Sequence, residues 1–143
     1  MKICYVATVG GHLNELYAIA KHIPYKGFLI TSGKTKIKIG NKYYIHDKRD
    51  PFKIIYSWIK SFFVLLRERP DIIITTGAGP AIPVCYIGKL FGCKVVYIES
   101  YTRVHTSSSA GRLVYPIADR FYVQWETTKQ AYGDKARYGG GLL

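Results

Sequence analysis

The 143-residue sequence predicts an α/β fold built on one doubly wound parallel sheet. Strand and helix signals alternate along the whole chain, and no internal repeat or low-complexity linker interrupts them. Several strand segments are near-continuous apolar runs, such as 72–74 and 95–98, which is typical of parallel strands covered on both faces. Hydrophobic residues make up 48% of the chain, enough for the core of one domain over residues 1–143.

Six segments have clear strand character, and a seventh is weaker. We expect strands over Lys2–Thr8, Gly27–Thr31, Lys42–His46, Asp71–Thr75, Lys94–Glu99 and Phe121–Trp125, with the weaker one near Lys135–Tyr138. Apolar residues at helical spacing predict helices from about His12 to Lys21, Pro51 to Arg67 and Ala81 to Leu90. The polar stretch Tyr101–Arg112 predicts a mobile loop leading into a helix that one of its serines caps. Asp119 and Arg120 predict a turn.

Two glycine-rich turns follow predicted strands, at residues 9–12 and 76–80. Glycine lets a ligand approach the backbone, and Pro80 suits the first turn of a helix. On one parallel sheet both turns would lie at the carboxyl edge, together with two helix N-termini and their free N–H groups. The pattern therefore predicts an anion site, such as one for a diphosphate, at that edge.

The charge balance favours anionic partners. The chain has 21 Lys and Arg against 9 Asp and Glu, a net charge of +12, which suits nucleic acid, an anionic membrane or phosphorylated substrates. Cys4, Cys85 and Cys93 have no metal-ligand spacing, so we expect buried thiols in a reducing compartment, with neither disulfide nor zinc. The first strand follows Met1 directly and no apolar run reaches about 18 residues, so we expect a cytosolic or peripheral protein.

Known nucleotide-binding patterns are missing from both glycine turns. The first contains only the adjacent Gly10 and Gly11 instead of Gly-x-Gly-x-x-Gly, and the second strand ends without a carboxylate for a ribose. No Gly-Lys-Ser/Thr follows either turn. We therefore expect no nicotinamide cofactor, no phosphate-binding loop of the Walker type and no metal.

Three side chains near the same edge are candidates for chemistry. His12 lies at the first glycine turn, where it would orient a hydroxyl or act as a general base, unless it merely faces solvent. Glu99 ends a buried strand and would bind a sugar hydroxyl or pair with Arg103. Arg103 lies in the polar loop, which is either a solvated loop or one that contacts a ligand.

The predicted helix at 51–67 has more apolar surface than one core-facing stripe requires. At about 100° per residue, one apolar stripe is expected to pack on the sheet; it contains Phe52, Ile55, Tyr56, Ile59, Phe62, Phe63 and Leu66. Lys53, Lys60 and Arg67 form a basic row beside it, whereas Ile54, Trp58 and Leu65 extend the apolar arc on the other side. Such an arc next to cations predicts a helix on a membrane surface, with burial against a neighbouring helix or partner subunit as the alternative.

Five motifs occur together in an order and spacing shared with one protein family. They are Val9-Gly10-Gly11-His12-Leu13-x-Glu15-Leu16, Thr75-Thr76-Gly77-Ala78-Gly79-Pro80, Tyr97-Ile98-Glu99-Ser100, Tyr115-Pro116-Ile117-Ala118-Asp119 and Val123-Gln124-Trp125-Glu126. Over nearly its whole length the chain resembles the acceptor-binding, membrane-associated subunit of the two-component N-acetylglucosaminyltransferase of asparagine-linked glycosylation. It resembles more closely the bacterial relatives of that subunit in capsule and exopolysaccharide biosynthesis.

This resemblance implies the N-terminal, acceptor half of a GT-B glycosyltransferase with a Rossmann-like sheet, inactive without its partner. The nucleotide-sugar site would lie on that partner subunit, and the acceptor would be a polyprenyl-diphosphate-linked sugar at the cytoplasmic face of the membrane. By position, Gly10, Gly11 and His12 match the first turn of the family, the run Gly77-Ala78-Gly79 matches the turn facing the diphosphate, and Glu99 matches an acidic position.

Two other functions stay open from the sequence. One is a scaffold that recruits the partner to the membrane and contributes no catalytic group. The other is a basic nucleic-acid-binding module, which the charge alone suggests but which lacks the aromatic signature of RNA-binding domains, so we expect no nucleic-acid partner.

Overall fold

The computed structural model describes residues 1–46, 50–77 and 79–139, and in it seven parallel strands form one sheet. The strands are β1 (Lys2–Ala7), β2 (Lys26–Thr31), β3 (Lys42–Tyr44), β4 (Ile72–Gly77), β5 (Lys94–Ile98), β6 (Arg120–Val123) and β7 (Ala136–Tyr138). Their order is β3-β2-β1-β4-β5-β6-β7, which reverses direction between β1 and β4. The predicted parallel sheet is confirmed, including its weak last strand, and strand ends shift by at most two residues.

Five helices connect the strands: α1 (Gly11–Ala20), α2 (Pro51–Glu68), α3 (Ala81–Leu90), α4 (Ser109–Val114) and α5 (Glu126–Tyr132). Leu13 and Leu16 of α1 pack on one face of the sheet, whereas α2, α3 and α4 contribute to the larger core on the other. The Ser108 side chain caps α4, as the serine-rich stretch predicts, because its hydroxyl accepts from the Gly111 backbone N–H at 2.9 Å. The short helix α5 was not predicted, and Arg120 belongs to β6 instead of a turn.

All three cysteines are buried free thiols, as expected. Burial raises the pKa of the thiols of Cys4 and Cys85 far above the ordinary value. These side chains are therefore neutral members of the core around β1 and α3.

The long helix α2 exists with the predicted bounds, but the prediction of its core-facing side was wrong. The stripe expected to pack on the sheet faces outward instead: its seven residues are 41–83% exposed, with Phe52 the most exposed. The buried side, which includes the Leu65 assigned to the membrane, consists of Ser57, Ser61, Val64, Leu65 and Glu68. Neither α2 nor any other helix in the described part of the chain is long and apolar enough to cross a membrane.

Specific contacts explain why small and polar residues face inward. Ser57 is hydrogen-bonded to the backbone of His46, accepting from its N–H at 3.0 Å and donating to its carbonyl at 3.2 Å. The Glu68 carboxylate accepts from the Tyr43 hydroxyl at 2.6 Å and forms an ion pair with Lys2. The two small serine side chains allow close packing, and the buried Glu68 carboxylate has hydrogen-bond and ion-pair partners. This side of α2 therefore packs inward although it has little apolar area.

Candidate functional site

The two glycine turns meet at the switch point of the sheet, where the carboxyl ends of β1 and β4 lie side by side. The pairing is regular up to Val6 and Thr75, and then Ala7 pairs with Gly77, so that Thr76 is an extra residue in a β-bulge. The bulge turns Thr76 toward α1, where its hydroxyl donates to the His12 carbonyl at 2.6 Å. The predicted juxtaposition of both turns at one edge is confirmed.

A second contact between the same two residues determines which nitrogen of the His12 ring carries a proton. Nδ1 of His12 lies 3.0 Å from the carbonyl oxygen of Thr76. A carbonyl oxygen only accepts hydrogen bonds, so Nδ1 carries a proton. In the neutral ring, Nε2 then holds the lone pair and is the atom able to accept a proton from a ligand.

Glycine is required at two positions of these turns. Gly10 and Gly77 have φ angles of +112° and +109°, which side chains rarely tolerate. A Cβ on Gly77 would also overlap the Tyr97 hydroxyl, whereas Gly10 and Gly11 face open space within 4 Å. Backbone at the first turn is thus accessible to a ligand. Ala78 lies outside the described residues.

A cleft of about 490 Å³ opens beside this switch point. It is lined by His12 and Gly79 from the turns, by Arg103 and Ser108 from the loop before α4, and by Ile54, Ser57 and Trp58 from α2, with His46 on the β3 side. Sequence analysis missed His46, which was assigned to a strand and gave no separate signal. The cleft brings His12 together with Arg103 and with two of the three residues assigned to the outer arc of α2.

Glu99 does not line this cleft. Its side chain is fully buried and accepts hydrogen bonds from the Ser108 hydroxyl at 2.9 Å, from the Ser100 backbone N–H at 3.0 Å and from the Tyr132 hydroxyl. Burial and the bond to Glu99 raise the pKa of the Tyr132 hydroxyl, which stays protonated as a donor. No ion pair joins Glu99 to Arg103 in the described part of the chain. The carboxylate acts as a positioning group that ties β5 to the start of α4.

A second buried carboxylate, Glu15 on α1, was not singled out although it belongs to the first motif. It accepts from the Ser100 hydroxyl at 3.0 Å, from the Tyr101 backbone N–H at 3.2 Å and from the Gln124 amide at 3.2 Å. Three of the sequence motifs therefore meet in one hydrogen-bonded network.

The loop that carries Arg103 is held at its middle as well as at its base. The Thr128 hydroxyl donates to the carbonyls of Arg103 and Val104, the latter at 2.9 Å, and the Trp125 indole donates to the Tyr101 carbonyl at 2.7 Å. The sequence predicted a mobile loop, whereas the structure shows one held by the side chains of Trp125, which precedes α5, and Thr128, which lies in α5. Arg103 itself is exposed, and among the described residues its guanidinium has only a long 3.4 Å contact to the Thr106 hydroxyl.

Fold and site together define a class: one Rossmann-like half of a GT-B protein with an open switch-point cleft. Its fold matches MurG of Acinetobacter baumannii with a TM-score of 0.79 at 16% identity, over 96% of this chain and 46% of that one. It also matches UDP-N-acetylglucosamine 2-epimerase from Rickettsia bellii with a TM-score of 0.76 at 13% identity, over 99% and 45%. At such low identity these likenesses concern the fold alone.

Sequence comparison identifies the family. Residues 38–142 match the family described as oligosaccharide biosynthesis protein Alg14 like, and the chain belongs to that family. A protein named UDP-N-acetylglucosamine transferase subunit ALG14 is 44% identical in Candida albicans, over 59% of this chain and 42% of the relative. The Schizosaccharomyces pombe and human proteins of that name are 33% and 32% identical, over 78% and 71% of this chain and 58% and 55% of their own lengths.

The chain thus spans about half the length of the curated relatives that it matches. The family resemblance found in the motifs is confirmed. Its extension to bacterial capsule biosynthesis stays a prediction.

Proposed function

We propose that this chain is the acceptor-binding subunit of a split glycosyltransferase. A partner subunit binds the nucleotide sugar, and this chain presents a polyprenyl-diphosphate-linked sugar to it at the cytoplasmic face of a membrane. Support comes from the family, whose curated members are named as subunits of a UDP-N-acetylglucosamine transferase, and from the fold, which corresponds to slightly less than half of MurG.

One observation carries the proposal: the cleft runs from the two glycine turns to the apolar side chains of α2. Its lining combines the polar His12 and Arg103 with the apolar Ile54 and Trp58. A ligand with a charged head and a hydrocarbon tail suits both parts of this lining at once, because the head reaches the backbone N–H groups while the tail leaves along α2. In this proposal Ile54 and Trp58 contact the hydrocarbon tail of the ligand, whereas Leu65 belongs to the core.

The diphosphate has suitable donors at the polar part of the lining. Neither α1 nor α3 has a side-chain cap at its N-terminus, whereas Asp50 and Ser108 cap α2 and α4. Helix N-termini attract anions through their N–H groups and dipoles, and the exposed Arg103 adds a charged donor at the rim. The exposed glycines at positions 10, 11 and 79 would let the phosphate oxygens reach the backbone, whereas Gly77 is buried and its N–H already donates to the Thr75 hydroxyl at 3.0 Å.

His12 is the proposed general base. Its Nε2 would take the proton from the acceptor sugar hydroxyl while that oxygen forms the bond to the anomeric carbon of the donor sugar. The bond between this carbon and the nucleoside diphosphate breaks, and the leaving group keeps the electron pair. The Nδ1 contact to Thr76 orients the ring for this step.

Membrane contact is assigned to the outward apolar stripe of α2. These seven side chains are all at least 41% exposed, and Lys53, Lys60 and Arg67 form a row beside them. An apolar helix face flanked by cations suits an anionic leaflet, because apolar groups enter the acyl boundary and cations meet lipid phosphates. The chain would then bind peripherally, with the cleft opening toward the lipid surface.

The decisive experiment measures sugar transfer by this chain reconstituted with its partner. His12→Gln should lower turnover by about 10²-fold or more without changing the melting temperature, since general-base catalysis contributes that much. His22→Gln, beyond the opposite end of α1, is the matched control and should stay near the wild-type rate. A fall of less than about fivefold for His12→Gln would contradict its role as base and favour the non-catalytic scaffold.

A further inference from the structure

A second cavity lies at the opposite edge of the sheet from the switch-point cleft. It has a volume of about 460 Å³ and opens between the end of α1, the start of β2 and the segment 38–40. It is lined by Tyr5, Tyr17, Lys21, Tyr25, Lys26 and Lys38, and it shares no lining residue with the first cleft. Its size falls within the range of about 300–1,000 Å³ that is usual for small-molecule sites.

Tyr5 is the least exposed of the residues that line this cavity. The residue as a whole is only 2% exposed, and within residues 1–46, 50–77 and 79–139 no protein group is hydrogen-bonded to its hydroxyl. The ring lies over Gly27, where a Cβ would come within 2.7 Å of a ring carbon, so glycine at that position makes the space for it. A hydroxyl of a cavity-lining residue that has no protein partner is a donor available to a ligand.

Three lysines give the cavity a positive charge that no acidic side chain of the described residues neutralises. The ammonium groups of Lys21, Lys26 and Lys38 are all exposed, and none forms an ion pair in the described ranges. Within the described part of the chain, no carboxylate lines the cavity. Lysine binds phosphate as a point charge, so three of them around one hydroxyl donor suit a phosphate group.

Two exposed aromatic rings complete the site. Tyr17 is 41% exposed and Tyr25 is 52% exposed, and both line the cavity. Exposed tyrosine rings bury the flat face of a ligand's ring while their hydroxyls stay in water.

We propose that this basic tyrosine pocket is a binding site for a small phosphorylated compound that carries a ring, either a sugar or a nucleobase. The phosphate lies among the three lysines and accepts a hydrogen bond from the Tyr5 hydroxyl, while the ring packs against Tyr17 and Tyr25. The pocket is separate from the acceptor cleft, and the proposal does not depend on the proposed glycosyltransferase role.

Calorimetric titration of the whole chain with two probes tests the proposal. Glucose 1-phosphate represents the phosphosugar and adenosine 5′-monophosphate the nucleotide, and at least one should bind with a Kd of roughly 1 mM or tighter. The tighter probe identifies the ring. Glucose, adenosine and inorganic phosphate should each bind at least about tenfold more weakly than the matching probe, because each lacks half of the contacts. The proposal is wrong if neither probe binds, or if phosphate alone binds as tightly.

Three variants locate the site. Tyr5→Phe keeps the ring and removes the donor, and should weaken binding about tenfold, as expected for a hydrogen bond to a charged group. Lys21→Gln with Lys38→Gln should weaken it at least as much, whereas Lys94→Gln with Lys129→Gln, which loses the same charge elsewhere, should leave it within about twofold. Equal losses for both lysine pairs, or no effect of Tyr5→Phe, would overturn the assignment.

A further variant separates this pocket from the first cleft. Arg103→Gln should leave binding unchanged. Loss of binding in that variant would place the ligand at the switch point and overturn the proposal.

Discussion

The outward apolar stripe of α2 provides the sharpest quantitative test of the membrane assignment. Ile55, Ile59 and Phe63 are 56%, 54% and 61% exposed, so roughly half of each side chain's transfer energy is still available. Complete burial of such a side chain contributes about 1.5–3 kcal/mol, which leaves about 1 kcal/mol for each of the three. Replacing all three with serine should therefore cost about 3 kcal/mol of membrane binding, or roughly a hundredfold in the partition coefficient.

Sedimentation with vesicles measures this loss directly. The serine variant should bind both neutral phosphatidylcholine vesicles and vesicles containing anionic lipid about a hundredfold more weakly than wild type. Replacing Lys53, Lys60 and Arg67 with Gln should weaken binding to anionic vesicles by a similar amount, at about 1 kcal/mol per cation, and leave neutral vesicles unaffected.

Controls for this experiment come from the same chain. Tyr138 on β7, at the far edge of the sheet, is 52% exposed and is therefore comparable to the exposed side chains of α2. Tyr138→Ser should leave vesicle binding unchanged. Circular dichroism melts should coincide with wild type, because the substituted residues contribute little to the core. Unchanged sedimentation of the serine variant, combined with loss of the partner in a pull-down, would refute the membrane assignment and make α2 a subunit interface.

Three further predictions concern stability. Leu65→Ala should lower the free energy of unfolding by about 3 kcal/mol, because the side chain is fully buried. The folded fraction of this variant should still bind vesicles. A variant that is as stable as wild type but does not bind vesicles would show that Leu65 contacts the membrane. Glu99→Gln should lower the melting temperature by roughly 5 °C, from about 2 kcal/mol of lost hydrogen bonding, whereas the exposed Glu126→Gln should not; equal melting temperatures would contradict the positioning role. Burial acts to raise the pKa of Glu68 and Asp119, but the hydrogen bonds of these carboxylates hold both pKa values below the ordinary value. The folded state therefore binds fewer protons than the unfolded state. The free energy of unfolding should decline as pH falls below about 4. Urea unfolding at acid and neutral pH measures this decline, which should be smaller in Glu68→Gln; a pH-independent unfolding free energy would contradict the assignment.

Much of the candidate site was accessible from the sequence, because its parts lie directly after strands. His12 follows one apolar strand and Gly77 ends another. Parallel strands place their carboxyl ends at one edge, so the proximity of these residues needed no further information. The role of Glu99 was not accessible in this way. Its partners Ser108 and Tyr132 lie 9 and 33 residues further along the chain, and only the packing of α4 and α5 brings them to the carboxylate.

Helix α2 shows most clearly which properties the sequence determines and which depend on the tertiary structure. Apolar residues at helical spacing determined its length, its amphipathic stripe and the basic row at its side, since these depend only on the periodicity of the chain. The direction in which the stripe points depended on the tertiary contacts of its opposite side, where Ser57 bonds to the His46 backbone and Glu68 pairs with Lys2. Hydrophobic periodicity shows which residues share one face of a helix, but it does not show which face packs on the sheet. The packing of a face depends on the space and the polar partners that distant segments of the chain supply.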